Sequence, residues 1–306
     1  MIVWGILFAF HVALPLLLLA SLALRKHGGR LEALLHLWMV GSVVGWITLG
    51  GAGWPFVGFY IRPILWSCTI GVGTRALYRL RHLPWISTWR SSALTASYLL
   101  PAIFFSFAIQ QMVGGRAFDG IPVDLKPPLR NGRFLVGHGG SNIMLNHHQP
   151  AHAQSFALDI VKLNAFGFRS KGAPWRTALS EYEVFGEPVY SPCDGEVIEE
   201  EHALHDMIPP HADPDHLLGN HVIVACEGVS VLLAHLQHNS TLVRKGDHVS
   251  SSSRIGLVGN TGNTSEPHLH IHAVRGQVTD PEMIAKRGEP VPIRFNERFL
   301  VRNDTF

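Results

Sequence analysis

The stretch that decides the fold is residues 255–274, IGLVGNTGNTSEPHLHIHAV, in which a Gly- and Asn-rich turn region leads into a short strand. Side chains alternate between the two faces of a strand, so His268, His270 and His272 are predicted to share one face. Leu269 and Ile271 then point into a core. Two imidazoles at positions i and i+2 can reach one metal ion, although an isolated HxHxH also suits an edge strand whose histidines face water.

Two more polar residues stand in apolar strand patterns upstream of this stretch. Residues 231–237, VLLAHLQ, form an apolar strand that ends in His235, and residues 156–160, FALDI, hold the lone carboxylate Asp159. Histidine and carboxylate side chains are the ligands that catalytic zinc sites use. The chain contains no HExxH, which excludes a thermolysin-type helix site at the level of the motif.

The AHL sequence around His235, the GNTGNTSEPHLHIH run, the SPCDGEV strand and the SFALDIV strand together resemble the lysostaphin-like zinc metalloendopeptidases. Members of that family cleave peptide bonds in bacterial cell-wall peptidoglycan. The resemblance covers about residues 130 to 300, in the family's order and spacing. It implies that Asp159 and His270 bind one zinc ion and that His235 and His268 are catalytic. His272 is a candidate only for a supporting contact to a ligand.

One departure from the family pattern concerns the third metal ligand. The family's common spacing HxxxD fails here, because Ser155 stands four residues before Asp159. The ligand must therefore come from the histidine-rich segment just upstream, in which His147, His148 and His152 compete.

The choice among these three histidines depends on a predicted strand over residues 143–148, folded back beside the Asp159 strand by a turn at Pro150. Only one of two adjacent strand residues can face the metal. Relatives with a similarly lengthened loop tend to keep a histidine about eleven residues before the aspartate, ahead of a Gln that matches Gln154. The resemblance thus implies His148, with His152 as the alternative.

Composition divides the chain into two unlike parts. The first 113 residues are overwhelmingly apolar, and most of the 19 histidines lie after them. No basic stripe suggests binding to nucleic acid.

The three cysteines form no CxxC, so a cysteine-based zinc site is excluded. Cys193 and Cys226 are predicted to be free, buried thiols, although they can pair if this part lies outside the cytoplasm.

The apolar part is predicted to be a membrane domain, residues 1–113, of four transmembrane helices over residues 1–24, 35–50, 54–73 and 93–112. Two basic segments, residues 25–30 and 75–90, are expected on the cytoplasmic side. An even number of crossings between them places both ends outside, with the protein in the bacterial cytoplasmic membrane. Arg62 falls inside the third span, where an arginine costs at least ~2.5 kcal/mol unless it is paired.

After a Gly- and Pro-rich linker, residues 114–130, short strands separated by turns predict a mostly β peptidase domain over residues 131–306, built as a small, open, barrel-like antiparallel sheet. Residues 221–225 and 229–234 form a predicted hairpin. The acidic and histidine-rich segment 201–216 is interpreted as a solvated loop over the groove rather than as a second metal site.

Three functions compete. A membrane-anchored, zinc-dependent peptidoglycan endopeptidase is favoured, because every catalytic residue type of the family is present. An inactive member that binds wall peptides or regulates another hydrolase is the alternative. A biotinyl- or lipoyl-like carrier domain is suggested by residues 243–249, VRKGDHV, but no exposed hairpin tip carries a modifiable lysine.

Overall fold

The computed structural model describes residues 2–85, 89–172 and 178–306. Met1, the first residue of the first predicted span, lies outside them. The chain divides after Val113 into two compact units, one helical and one mostly β. Each unit has its own hydrophobic core.

The helical unit follows the apolar runs and breaks where Gly-rich segments interrupt them. Helix α1 and helix α2 are continuous through a π-helical turn, and a Gly-Ala-Gly segment separates α3 from the short α4. The bounds are α1 Ile2–Phe8, π turn Ala9–Ala13, α2 Leu14–Leu24, α3 Arg30–Gly50, α4 Trp54–Val57, α5 Ile61–Leu80 and α6 Trp89–Gly114.

Three stretches of the described chain are long and apolar enough to cross a membrane, namely 2–24, 30–50 and 95–114. The predicted count of four spans is therefore not supported as it stood, because α5, which replaces the span at 54–73, does not meet the same criterion. Arg62 also lies at the start of α5 rather than inside a span. Its Nε donates to the Thr48 carbonyl oxygen at 2.9 Å. This oxygen lies in the last turn of α3, where carbonyl groups have no hydrogen-bond donor within the helix.

The β unit is organised around one antiparallel sheet of eight strands, in the order β2-β3-β10-β7-β6-β5-β8 with β11 paired to β10. Because β2 and β8 end this order, the sheet is open, as predicted. The strands are β1 Val123–Leu125, β2 Arg133–His138, β3 Leu158–Leu163, β4 Pro188–Tyr190, β5 Gly195–Glu201, β6 Asn220–Cys226, β7 Val229–Leu236, β8 His248–Val249, β9 Arg254–Leu257, β10 Leu269–Arg275, β11 Pro290–Val291, β12 Ile293–Phe295 and β13 Arg298–Phe299; the short helix α7 spans Pro281–Lys286.

Two predictions about this unit were wrong. Residues 114–130 are not a free linker, because β1 pairs with β12 and Leu129 is buried in the core. Residues 143–148 form turns instead of a strand. The buried Asn146 side chain explains the turns, since its Nδ2 donates to the carbonyl oxygens of Gly140, Ser155 and Ala157 and so replaces a strand ladder.

The prediction of free cysteines was also wrong. Cys193 and Cys226 form a disulfide whose Cα atoms are 6.0 Å apart. Cys226 ends β6 and Cys193 lies two residues before the start of β5, so the antiparallel pairing of these two strands brings the cysteines together. Cys68 is free and exposed.

The two faces of the sheet have different roles, and the period of two along each strand decides which residue belongs to which face. Leu158, Ile160, Leu269 and Ile271 point into the main core. The residues between them, which include Asp159 and His270, therefore point to the opposite face, where α7 and the loop before β3 lie. All candidate metal ligands of the strands are on this second face.

Candidate metal centre

The centre begins at Asp159, a buried carboxylate in the middle of β3. Cross-strand pairing sets His270 of β10 directly opposite Asp159, and their side chains meet with His270 Nδ1 2.9 Å from Asp159 Oδ1. His148 reaches the other carboxylate oxygen from the loop, with its Nε2 2.9 Å from Asp159 Oδ2. The ligand atoms of these three residues lie within 4.8 Å of one another, which is close enough to share one metal ion.

His148 is held in place by the same Asn146 that breaks the predicted strand. Its backbone N–H donates to Asn146 Oδ1 at 3.1 Å, so the loop presents the imidazole to Asp159. The predicted strand is therefore wrong, while His148, the residue that the resemblance implied, does contact the carboxylate. His152, the alternative, is exposed in a 3-10 turn over His152–Gln154.

Hydrogen bonds fix the tautomers of the two strand histidines. The Ile284 carbonyl oxygen, 2.9 Å away, can only accept, so His272 carries its proton on Nε2. Its Nδ1 then accepts from His270 Nε2–H at 2.9 Å, which leaves the lone pair of His270 on Nδ1. Burial lowers the pKa of His270 to about 3 and that of His272 to about 4, so both rings are neutral at pH 7.

A metal ion fits this donor set. The lone pair of His270 Nδ1 faces a carboxylate oxygen, and two electron-pair donors in contact need a shared cation or proton between them. Burial alone would raise the pKa of Asp159, but His148 and His268 outweigh it and hold the pKa well below its usual range. The carboxylate is therefore charged and available as a ligand.

His235 and His268 stand next to the three-residue group. Their ring centroids are 4.9 Å apart, and His268 Nε2 is 3.6 Å from Asp159 Oδ1. His235 Nδ1–H donates to the Thr261 carbonyl oxygen, and His268 Nδ1–H donates to that of Glu266, each at 2.9 Å. Both rings therefore keep Nε2 for other chemistry when neutral. Burial lowers the pKa of His235 well below its ordinary value.

His235 reaches the site because the strand is irregular there. Strand β6 opposes β7 with a register shift, so that Asn220 pairs with Leu236 while His221 pairs with Ala234. His235 is the extra residue of this β-bulge and has a φ of 62°. A bulge re-aims a side chain, and left-handed backbone at a non-Gly residue is typical of functional sites. By simple alternation His235 would have pointed into the main core with Leu233.

The sequence did not indicate two residues beside the centre, His138 and Arg302. His138 ends β2, and with His147 and Asp159 it forms a second group that can hold a metal ion. Arg302 Nη2 donates to His138 Nδ1 at 2.8 Å, so the His138 proton lies on Nε2 when the ring is neutral. That tautomer makes His138 a donor, which favours the His148 group as the metal site.

Glu201 ends β5, so the loop predicted for residues 201–216 begins one residue later and covers 202–216. Asp206 Oδ1 accepts from the Asn260 N–H and its Oδ2 from the His238 N–H, which ties the loop to the turns near the centre. Among the described residues, the groups able to hold a metal all lie around Asp159 and His235, and none includes this loop.

Comparison with known proteins agrees with the family resemblance that the sequence motifs indicated. Residues 181–281 match the model of peptidase family M23. Peptidoglycan DD-endopeptidase ShyA of Vibrio cholerae is 38% identical over 93 residues, which are 30% of this chain and 19% of that protein. The match thus spans under a fifth of this relative. The family match includes His235, His268 and His270, while His148 and Asp159 precede it.

Two solved structures are similar over parts of the chain. LytU is 26% identical, with 31% of this chain and 57% of LytU covered and a TM-score of 0.25. A zinc-containing peptidase from Vibrio cholerae is 23% identical, with 52% and 37% covered and a TM-score of 0.24.

Proposed function

We propose that this chain, through the peptidase family M23 domain that it carries, is a zinc-dependent endopeptidase that hydrolyses peptide bonds in peptidoglycan. The observation that carries the proposal is the contact of one buried carboxylate, Asp159, with both His148 and His270 at 2.9 Å, beside the pair His235 and His268. Three protein ligands leave zinc a position for substrate or water.

The residues divide into ligands and proton handlers. His148, Asp159 and His270 would hold zinc, which when bound supplies Lewis acidity that polarises a peptide carbonyl and makes water more acidic. His235 and His268 offer Nε2 as a proton acceptor, because their Nδ1–H groups are bound to carbonyl oxygens. One of them takes the proton of the attacking water, and the other, once protonated, stabilises the developing oxyanion.

We also propose that the β unit lies on the outer face of the cytoplasmic membrane. The two basic segments lie together, since Arg30 N–H donates to the Pro84 carbonyl oxygen and Arg79 Nη1 to that of Ala23. Helix α5 then returns the chain across the membrane despite its lower hydropathy, and α6 crosses once more. The disulfide supports this location, because disulfides persist in oxidising compartments.

Large apolar side chains exposed along the helices support the membrane assignment, as lipid would cover them. Examples are Leu17 at 68% and Leu100 at 76% exposure. A reporter that is active only in the cytoplasm tests the topology. Fused after Phe306 it should be silent, and fused after His82 it should be active. The reverse pattern would contradict both the topology and the access to the wall.

Digestion of purified sacculi tests the activity. Zinc-loaded protein should release muropeptides whose masses identify the bond cut, and the His268→Ala variant should bind zinc but release none. If the wild-type protein binds zinc and sediments with sacculi yet releases nothing, the chain is a wall-binding member of the family instead.

A further inference from the structure

The turn that precedes β10, residues 259–264, GNTGNT, contacts both proposed proton handlers. The carbonyl oxygen of its Thr261 accepts from His235 Nδ1–H at 2.9 Å. At the other end of the turn, Thr264 Oγ1 lies 3.2 Å from His268 Nδ1. The orientation of both imidazole rings therefore depends on how this turn is held in place.

Thr264 helps to set the tautomer of His268. The Thr264 hydroxyl has one proton and two acceptors within reach, Asn260 Oδ1 at 3.2 Å and the Glu266 carbonyl oxygen at 2.8 Å. With that proton engaged, Thr264 Oγ1 offers a lone pair to His268 Nδ1, as the Glu266 carbonyl oxygen also does. Two acceptors at Nδ1 require a proton there. The lone pair of His268 is thus left on Nε2, which lies 3.6 Å from Asp159 Oδ1.

The loop over residues 202–216 holds the turn through Asn260, which is completely buried. Asp206 Oδ1 accepts the Asn260 N–H at 2.6 Å. Met207 N–H donates to the Asn260 carbonyl oxygen at 2.9 Å, and the Met207 carbonyl oxygen accepts from Asn260 Nδ2 at 2.7 Å. Three polar groups of one buried residue are thus bonded to two neighbouring loop residues. Displacement of the loop would leave them without these partners, which is costly for buried groups.

The loop approaches the turn closely at two further points. A Cβ atom at Gly259 would lie 2.5 Å from Asp206 Oδ1, so the glycine allows the carboxylate to reach the turn. The Gly259 N–H donates to the His235 carbonyl oxygen at 3.0 Å, which connects this contact to a proton handler. Asp213 N–H donates to the Gly262 carbonyl oxygen at 2.9 Å. The loop therefore supports the turn on both sides of the residue that binds the His235 ring.

We propose that Asp206 and Thr264 are positioning residues for the two proton handlers. Asp206 fixes Asn260 and with it the turn that orients His235, and Thr264 orients His268. The inference rests on the proposed peptidase function and gives the loop a part in it. A proton acceptor must lie within hydrogen-bond distance of the water that it deprotonates, so a small displacement of either ring slows the chemical step while the metal stays bound.

The Asp206→Ala variant tests the contribution of the loop. We expect full zinc content, an unchanged KM on sacculi and a kcat that is about 10–100-fold lower per zinc-loaded protein. A merely structural role would lower the folded fraction but leave this kcat unchanged. Asp206→Asn keeps an oxygen that can accept the Asn260 N–H, so it should retain more activity than Asp206→Ala. Asp215→Ala removes an exposed carboxylate from the same loop and is the matched control, which should behave as the wild-type protein.

Amide hydrogen exchange of the zinc-loaded, full-length protein in detergent provides a readout that does not depend on activity. In Asp206→Ala, peptides that cover residues 259–262 should exchange at least about tenfold faster, because hydrogen bonds between the loop and the turn are lost. Peptides from the hairpin of β6 and β7 should be unchanged. Wild-type exchange rates at 259–262 in Asp206→Ala would overturn the proposal.

The Thr264→Val variant tests the other end of the turn. It replaces a buried hydroxyl with a methyl group of similar size, and Thr264→Ser keeps the hydroxyl as the matched control. We expect Thr264→Val to retain zinc and KM while kcat falls about tenfold, and Thr264→Ser to remain close to the wild-type protein.

Two kinetic results would overturn the proposal. An unchanged kcat in Asp206→Ala or in Thr264→Val would show that the residue concerned does not position a proton handler. Equal losses in Asp206→Ala and Asp206→Asn would show that the charge of the carboxylate matters instead of its hydrogen bond to the turn. Absence of hydrolysis by the zinc-loaded wild-type protein would contradict the proposed function, and hydrogen exchange alone would then decide whether the loop holds the turn.

Discussion

The two units bury histidines in different ways. In the helical unit, His11 Nδ1 faces the Leu7 carbonyl oxygen and its Nε2 accepts the Gly53 N–H, while His36 lies between Ser21 and His27. Both nitrogens of each ring are thus occupied within the unit. In the β unit, His272 is occupied in the same way, whereas His235 and His268 leave Nε2 available.

In the β unit, His235 and His268 each bind a carbonyl oxygen through Nδ1 only, and His270 turns Nδ1 to a carboxylate. A buried histidine whose two ring nitrogens are both hydrogen-bonded stabilises the fold. A histidine with a free lone pair can bind a metal or transfer a proton. The following substitutions test this difference, beginning with the largest expected effect.

Loss of a ligand should abolish both metal binding and activity. We expect Asp159→Ala, His270→Ala and His148→Ala to be purified with little zinc and to hydrolyse sacculi at background rate, because each removes one of the three proposed ligands. Zinc per protein, measured by elemental analysis, checks this. His152→Ala, which alters an exposed residue, is the control and should retain zinc. Full zinc in His148→Ala together with its loss in His152→Ala would show that the loop ligand is wrongly assigned.

Loss of a proton handler should separate activity from metal binding. We expect His235→Asn and His268→Ala to keep zinc while kcat falls by about 10²–10⁴-fold. Asn is chosen at 235 because it tolerates the left-handed backbone there, so the fold is retained. Zinc content and rates on sacculi are measured together. Loss of zinc from either variant would place that histidine among the ligands.

The strand part of the site was predictable from the sequence because alternation and pairing are regular there. Side-chain alternation predicts which face of its strand each of Asp159 and His270 occupies. The pairing of β3 with β10 then sets the two residues opposite each other on the same face of the sheet. It did not predict how His235 is oriented, since a bulge with a φ of 62° breaks the alternation at that residue. Only the resemblance to a family indicated His235 as catalytic.

The loop and the long-range contacts were not predictable from local pattern. Residues 143–148 have apolar content that suits a strand, but the Asn146 side chain satisfies three carbonyl oxygens and stabilises turns. Arg302 contacts His138 across 164 residues, and no local signal connects them. The pairing of Cys193 with Cys226 depended on the register of β5 and β6, which the sequence leaves open.

Loss of the hydrogen bond behind a ligand should have a smaller effect. His272 accepts from His270 Nε2–H, which leaves the His270 lone pair on Nδ1, the atom proposed to bind zinc. His272→Ala should weaken zinc affinity by about 10–100-fold, as is usual for such supporting contacts. Competition with a chelator of known affinity measures the change. Unaltered affinity would show that the ligand's tautomer does not depend on His272.

Removal of the disulfide should change stability and leave the chemistry intact. The double variant Cys193→Ala with Cys226→Ala should lose about 2–4 kcal/mol of unfolding free energy, because the bond closes a long loop of the unfolded chain. Zinc content and kcat at 25 °C should match the wild-type protein. Cys68→Ala, which alters a free thiol, is the control. A large loss of kcat in the folded double variant would contradict a purely structural bond.

The smallest effect is expected in the helical unit. His36→Gln should leave zinc content and kcat unchanged, because the hydrogen-bond partners of His36, Ser21 and His27, lie in the helical unit and have no part in the proposed chemistry. Assay of the full-length protein in detergent checks this. A fall in kcat as large as that of His268→Ala would show that the helical unit takes part in catalysis.

The location of the metal tests the central claim most directly. A crystal of the zinc-loaded protein, with data on both sides of the zinc absorption edge, should show one anomalous peak about 2.0–2.2 Å from His148 Nε2, an Asp159 oxygen and His270 Nδ1. A peak bound by His138, His147 and Asp159, or one bound through His235, would contradict the division into ligands and proton handlers.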